Sequence, residues 1–106
     1  MNLPKPVADL IAAQDKYDSK AFADAFSEDA VVHDEGKTYR SKTEIRKWNE
    51  LTNARYKTKY EPHEVTTDGD KVTLTARISG TFDGSPAIIK YHFEIRNGKI
   101  RSLQIS

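Results

Sequence analysis

The sequence contains no cysteine, which excludes disulfide bonds, thiol catalysis and thiolate metal sites. Long hydrophobic runs are also missing, since no stretch approaches the roughly 18 apolar residues of a membrane span. The opening residues Met1–Pro6 lack the apolar segment of a secretory signal. We therefore expect a cytoplasmic protein without a membrane partner.

An excess of charge of one sign is absent too, because 17 basic residues face 16 acidic ones and the net charge is +1. No global field therefore favours nucleic acid, a membrane surface or an acidic substrate. The stretch 40–59 is locally basic, but it lacks the interleaved aromatic residues of a nucleic-acid reader. We expect a solvated face or an acidic helix of the same chain opposite it, and no nucleic-acid partner.

The motifs of several enzyme classes are missing. No nucleophile elbow and no glycine-rich phosphate loop occur, which argues against nucleophilic catalysis and nucleotide binding. His33, His63 and His92 have no metal-ligand spacing, so we predict neither a metal nor another cofactor. Any chemistry would be proton transfer, which needs only a positioned carboxylate, a neutral pocket and a hydroxyl donor.

The composition that is present favours one globular domain. The chain has 106 residues, 37% of them hydrophobic and 31% charged. Four Phe, five Tyr and Trp48 supply large side chains for a core. This length supports one hydrophobic core, so we predict a single domain over residues 1–106.

Helical signals occupy the first half of the chain. Pro4 and Pro6 suit a first helical turn, and apolar residues at helical spacing extend that helix to about Lys16. Asp18 can cap a second helix that ends near Ser27. The segment 41–44 reads as a capping box with Ser41 and Glu44, and it starts a third helix that runs to about residue 56.

Strand signals follow a different period. Residues 30–34 form a short β-branched segment closed by Gly36, and from Tyr60 onward apolar residues alternate with polar ones. Turns at 68–70, 83–86 and 97–98 divide this region into four strands of an antiparallel meander. The order predicts an α+β fold whose helices cover one face of the sheet. The other face is free for solvent or a second copy, so we expect a homodimer.

Residues 25–34, Arg40-Ser41 and 45–48 resemble a segment shared by SnoaL-like polyketide cyclases and ketosteroid isomerases. These proteins belong to the nuclear-transport-factor-2-like (NTF2-like) superfamily. The resemblance implies an NTF2-like cone, in which three N-terminal helices pack on a curved antiparallel sheet around an internal pocket. Dimers are usual in that superfamily.

The resemblance also implies a role for Asp34, which falls at the position of the proton-shuttling base of the isomerases. Those enzymes add an oxyanion hole made by a Tyr and a protonated Asp. Here Leu10 occupies the position of that Tyr, and Tyr91 occupies the position of the second acid. One donor is therefore missing and one is exchanged, which argues against the steroid isomerase reaction itself.

We expect the pocket to receive a small, largely apolar molecule. Asp34 is the candidate catalytic residue, and the expected pocket walls are Tyr39, Trp48, Tyr91, Phe22, Phe26 and Phe93. Two alternatives stay open: Asp34 as a solvated or amide-capping carboxylate, and the aromatic residues as core. The function is then either isomerase or cyclase chemistry by proton abstraction, or that of a noncatalytic ligand carrier or dimerising module.

Overall fold

The computed structural model describes residues 2–106, which form three helices and six strands. The chain order is α1 (Lys5–Asp15), α2 (Ser19–Asp24), β1 (Phe26–Asp34), β2 (Lys37–Arg40), α3 (Ser41–Tyr56), β3 (Lys59–Asp68), β4 (Lys71–Ser79), β5 (Ala87–Arg96) and β6 (Lys99–Ile105). No helix within this range is long and apolar enough to cross a membrane.

The first two helices begin where the sequence predicts. Helix α1 starts after Pro4, and the Asp18 side chain caps α2 by accepting the N–H of Ala21 at 3.0 Å. The predicted end of α2 near Ser27 is wrong, because α2 stops at Asp24. The chain turns at that point to join the sheet, where Phe26 pairs with Ile100 of β6.

Only half of the predicted capping box forms at the start of α3. The Glu44 carboxylate accepts the backbone N–H of Arg40 at 2.8 Å, so the acidic half of the motif is present. The Ser41 side chain makes no cap, because Ser41 has a left-handed φ of +73° and Arg40 is the N-cap residue. Helix α3 ends at Tyr56, and its C-cap residue Lys57 is also left-handed, with φ of +51°.

The six strands form one sheet in the order β2-β1-β6-β5-β4-β3. Strands β3 to β6 are the predicted antiparallel meander. Strand β1 pairs with β6 in parallel and with β2 as an antiparallel hairpin, so the sheet is mixed rather than wholly antiparallel. The predicted α+β class, with three helices packed on a curved sheet, is confirmed.

The pairing register separates two faces of the sheet. Val72, Leu74, Ala76 and Ile78 of β4 are buried in a core that includes residues of all three helices. The opposite face is exposed, and Ile88 of β5 shows 60% of its surface there. The helices leave part of the inner face uncovered beside α3, and this gap positions the candidate site.

Candidate functional site

A cavity of about 1120 Å³ lies between α3, the β1–β2 hairpin and the inner face of the meander. Its polar groups near the sheet come from Asp34, Tyr60 and Tyr91, and its apolar wall comes from Ile78 and Ile89. Three further side chains line its outer part, namely Leu51, Arg55 and Phe82. This volume suits a small organic ligand.

Asp34 is placed by strand alternation. It is the last residue of β1, and it faces the same side as Val32, which is fully buried. His33 points to the other face, where its Nδ1 lies 3.1 Å from Thr38 Oγ1. His33 is therefore exposed and turned away from the cavity, whereas Asp34 is half-buried within it.

The environment of Asp34 favours its neutral form. Burial raises the pKa of this carboxyl, and the charge of neighbouring Glu35 raises it further. Hydrogen bonding from the Trp48 indole and from the Glu35 backbone opposes the rise without cancelling it. Lys37 is the register partner of Asp34, yet no cation within residues 2–106 forms an ion pair with Asp34. The carboxyl thus has no ion-pair partner among the described residues.

Tyr39 and Trp48 form one aromatic wall. Their rings stack with centroids 5.6 Å apart and planes tilted by 29°. Tyr39 reaches this position from β2, where it lies opposite Val32, and Trp48 comes from the buried side of α3. Burial raises the pKa of the Tyr39 hydroxyl, and the charge of Asp34 adds to the rise.

Tyr60 and Tyr91 supply two hydroxyl groups on the sheet side. Their ring centroids are 5.3 Å apart, and both side chains line the cavity. Burial raises the pKa of both hydroxyls well above the ordinary range, and the nearby charge of Asp34 contributes. Both tyrosines therefore keep their protons at neutral pH and can act as hydrogen-bond donors.

Tyr60 is the site residue that the sequence analysis did not assign. The prediction of a missing donor rested on Leu10, which is indeed an apolar core residue only 1% exposed. Tyr60 provides a second hydroxyl from a different element, β3. Its alternation with exposed Lys59 and Glu61 was the available signal, because that pattern turns Tyr60 inward with Ile78, its partner on β4.

The prediction that Phe22, Phe26 and Phe93 line the pocket is wrong. These side chains are at most 2% exposed and belong to the core. Phe22 packs against Phe26 at 5.7 Å and against Trp48 at 6.1 Å, so it supports the Trp48 wall from behind. The cavity keeps four of the predicted residues together, which are Asp34, Tyr39, Trp48 and Tyr91.

The β4–β5 loop closes the outer side of the cavity. The backbone N–H of Thr81 donates to the Tyr56 carbonyl oxygen at 2.7 Å, and the Phe82 ring meets the Tyr56 ring edge-on at 6.1 Å. Gly80 allows this approach, since a Cβ at this position would overlap the Tyr56 carbonyl oxygen. The loop therefore holds Phe82 as part of the cavity wall.

The other two histidines lie outside this site. His63 Nε2 lies 3.3 Å from Glu61, and His92 Nε2 lies 2.9 Å from Ser106 Oγ. Within residues 2–106, no group of three or more His, Asp or Glu side chains is arranged to hold a metal ion.

The arrangement combines the half-buried Asp34 carboxyl, which has no ion-pair partner among the described residues, with two protonated hydroxyls and an apolar wall. A carboxylate of raised pKa is a stronger base than a solvated one, and it can accept a proton from a bound molecule. Hydroxyl donors in a partly enclosed cavity can stabilise negative charge that develops on an oxygen. The geometry is thus suited to proton transfer next to a carbonyl group.

Comparison with known proteins agrees with this architecture. The family model described as SnoaL-like domain matches residues 7–103. The structure of a candidate polyketide cyclase from Sinorhizobium meliloti is 36% identical, covers 98% of this chain and 95% of that one, and superposes with a TM-score of 0.95. No curated protein gives a significant match.

Two more distant structures share the fold. A protein with a ketosteroid isomerase-like fold from Catenulispora acidiphila, solved in complex with trimethylamine, is 23% identical with a TM-score of 0.88, covering 99% of this chain and 86% of that one. An uncharacterised cystatin-fold protein from Novosphingobium aromaticivorans is 18% identical with a TM-score of 0.82, and the match covers 100% of this chain and 98% of that one. At these identities the likeness concerns the fold alone.

Proposed function

This chain belongs to the SnoaL-like domain family. We propose that its cavity binds a small, largely apolar carbonyl compound and catalyses proton transfer at the carbon next to the carbonyl group. The observation that carries the proposal is the convergence of Asp34, Tyr60 and Tyr91 on one cavity. The similarity to a candidate polyketide cyclase supports the same class of chemistry.

Asp34 is the proposed base. Its ionised carboxylate accepts a proton from the carbon next to the carbonyl, and the C–H electron pair moves to form an enolate whose charge rests on oxygen. A pKa raised by burial makes this carboxylate a stronger base than a solvated aspartate. The carboxylic acid formed in this step can then return the proton.

Tyr60 and Tyr91 are the proposed donors to the enolate oxygen. Their protons are retained at neutral pH, so each hydroxyl can donate a hydrogen bond without competing as an acid. Such donors are worth most where charge develops in the transition state. If Asp34 returns the proton to a different carbon, the net reaction is isomerisation. If the enolate carbon instead attacks a second carbonyl carbon of the same molecule, the alkoxide that forms takes the proton from Asp34, and the product is a ring with a new hydroxyl group.

Exchange of deuterium into a ketone tests this proposal directly. The protein is incubated in D2O with a β,γ-unsaturated cyclic ketone, and loss of the α-proton signal is followed by NMR. Removal of a general base typically costs roughly 10²- to 10⁴-fold, so Asp34→Asn should reduce the catalysed exchange by about that factor. Asp83→Asn, which neutralises a carboxylate at the outer rim of the same cavity, is the matched control and should retain exchange.

Two results would count against the reaction: no exchange above the buffer rate with the wild-type protein, or equal exchange with Asp34→Asn. The first result would favour the noncatalytic alternative, in which the same cavity only carries a ligand, and the second would remove Asp34 from the mechanism. A fold check by circular dichroism on each variant separates lost chemistry from lost structure.

A second candidate function is noncatalytic binding of a small organic cation. The specific observation is that Asp34 lacks a cationic partner within residues 2–106 while the Tyr39 and Trp48 rings stand beside it. Carboxylates and aromatic faces together attract alkylammonium ions. The fold relative solved with trimethylamine supports this reading.

Paired NMR titrations with trimethylammonium and the neutral tert-butyl alcohol test this candidate, because the two ligands have similar shapes. Cation binding predicts saturable shifts in the Trp48 indole signal with trimethylammonium only, and their loss in Asp34→Asn. Equal responses to both ligands, or none to the cation, would contradict it.

A further inference from the structure

The junction between α3 and β3 is held by the C-terminal end of α1. The Gln14 side-chain amide donates to the carbonyl oxygen of Thr58 at 2.9 Å, and the Tyr17 hydroxyl donates to the carbonyl oxygen of Lys57 at 3.1 Å. The Lys59 ammonium adds a cation–π contact, 5.5 Å from the centre of the Tyr17 ring. Lys57, Thr58 and Lys59, the three residues before Tyr60, thus each contact Gln14 or Tyr17.

Gln14 is an unusual residue for this position. It lies on the buried stripe of α1 and is 1% exposed, where an apolar side chain would pack without needing partners. Its amide N–H groups also donate to Asn53 Oδ1 at 2.8 Å, and its carbonyl oxygen accepts from Asn49 Nδ2 at 3.0 Å. Ser19 completes the network by donating to Asn49 Oδ1 at 2.6 Å.

This network is satisfied throughout. No buried side-chain nitrogen or oxygen in residues 2–106 lacks a partner. Satisfied buried networks specify one arrangement of the elements they join, because each alternative leaves a desolvated group unpaired. Here the joined elements are α1, α2 and α3, together with Thr58, which also lines the cavity.

Lys57 makes the junction sensitive to such tethers. Its left-handed backbone ends α3, and the chain then enters β3 within two residues. A left-handed conformation is unfavourable for a residue with a long side chain and persists only when surrounding contacts fix it. Small changes at Lys57 and Thr58 would rotate the start of β3 and move the Tyr60 hydroxyl relative to Tyr91.

From these contacts we infer that Gln14 and Tyr17 are positioning residues for the Tyr60 hydroxyl. Neither side chain lines the cavity. They act through the carbonyl groups of Thr58 and Lys57, and so they set the donor geometry from outside the cavity. The inference rests on the proposed function only for the role of Tyr60 as a donor, since its placement can be measured separately.

The test is ¹³C NMR of the full chain with the Tyr Cζ atoms labelled. The Tyr60 resonance is assigned as the signal that disappears in Tyr60→Phe. Gln14→Met keeps the side-chain length and removes all three hydrogen bonds of the Gln14 amide, including the one to the Thr58 carbonyl oxygen. It should shift the Tyr60 and Tyr91 resonances and speed hydrogen exchange at the amides of 58–61 by about tenfold, as expected for loss of the one hydrogen bond that reaches this junction. Ser19→Ala breaks the same network at its far end and is the matched control, which should leave both tyrosine resonances in place.

Tyr17→Phe provides a second variant in case Gln14→Met does not fold, because Tyr17 is 39% exposed and its hydroxyl can be removed without leaving a cavity. It should move the Tyr60 resonance in the same direction by a smaller amount. The inference is overturned if Tyr60 is unmoved by the folded tether variants, or if Ser19→Ala moves it equally. Failure of the proton-transfer proposal would appear instead as unchanged deuterium exchange in Asp34→Asn.

Discussion

The rings of Tyr60 and Tyr91 meet at a centroid distance of 5.3 Å although their strands are not neighbours. Tyr60 lies on β3 and Tyr91 on β5, with β4 between them. Register pairs Tyr60 with Ile78 and Tyr91 with Leu74, so the two tyrosines are also offset along the strands. Only a strongly curled sheet brings such positions together, and the curl is what creates a pair of donors facing Asp34.

The tyrosine pair should show energetic coupling. The two rings contact each other in the cavity wall, so we expect their hydroxyls to interact, and Tyr60→Phe and Tyr91→Phe should each lower the free energy of unfolding by about 1 to 2 kcal/mol. The double variant should lose less free energy of unfolding than the two single variants together, and the difference, the coupling energy, should be about 0.5 to 1.5 kcal/mol. Urea denaturation of the four proteins measures the cycle. Tyr39→Phe serves as a control for loss of a tyrosine hydroxyl, and strictly additive costs would mean that the hydroxyls do not interact.

Asp34 should make stability depend on pH. Its pKa is raised in the folded state above the ordinary value of 3.8, so the folded protein holds this proton more tightly than the unfolded chain does. The associated stability is present at low pH and is lost as pH rises from that value through the folded pKa. The free energy of unfolding of Asp34→Asn should therefore rise relative to that of wild type as pH increases from 3.8 through the folded pKa, and the difference should persist at higher pH.

Urea denaturation of both proteins between pH 3 and pH 8 checks the sign of this difference. Asp83→Asn removes an aspartate from the outer rim of the same cavity and controls for the lost negative charge. A gain that shrinks with rising pH would mean that Asp34 is stabilised, not penalised, in its charged form.

Gly80 should be intolerant of even a methyl group. Gly80→Ala would push the β4–β5 loop away from the Tyr56 carbonyl, at a cost of roughly 1 to 3 kcal/mol in the free energy of unfolding. The displaced loop should also move Phe82 and change the affinity for any cavity ligand. Gly69→Ala is the control, because Gly69 has φ of +60° in open space at the β3–β4 turn and should lose stability without changing ligand affinity. Unaltered stability in Gly80→Ala would contradict this close approach.

The exposed sheet face is proposed as the homodimer interface. Ile88 is 60% exposed there, opposite Arg77 of β4 in the pairing register. Sedimentation at micromolar concentration should find a dimer that Ile88→Lys converts to monomer. Leu51→Lys is the matched control, because Leu51 is 72% exposed but lies on α3 at the cavity. A wild-type monomer at that concentration would end this proposal.

Much of the fold could be predicted because its signals are local. The alternation over 71–78 specifies a strand with one buried face, and Asp18 specifies the start of α2. Helix α2 was predicted too long because Phe22 and Phe26 share a helical spacing. The pairing of Phe26 with Ile100 ends that helix, and this contact joins residues far apart in the chain. The parallel pairing of β1 with β6 depends on the same nonlocal contact.

The candidate site was predictable only in part for the same reason. Resemblance located Asp34, and alternation turned Tyr91 inward. Phe22, Phe26 and Phe93 have the same residue type and spacing whether they line a cavity or fill a core, so only packing distinguishes the two. Tyr60 could be turned inward by alternation, but its meeting with Tyr91 depends on sheet curvature, which no local pattern reports.

A ¹³C NMR titration of the Asp34 carboxyl, assigned with Asp34→Asn, tests the account most directly, because every proposed role of the cavity depends on a partly buried Asp34 without a cationic partner. We expect a midpoint above the ordinary aspartate value of 3.8. An ordinary or lowered midpoint would contradict it and would make Asp34 a solvated or amide-capping carboxylate.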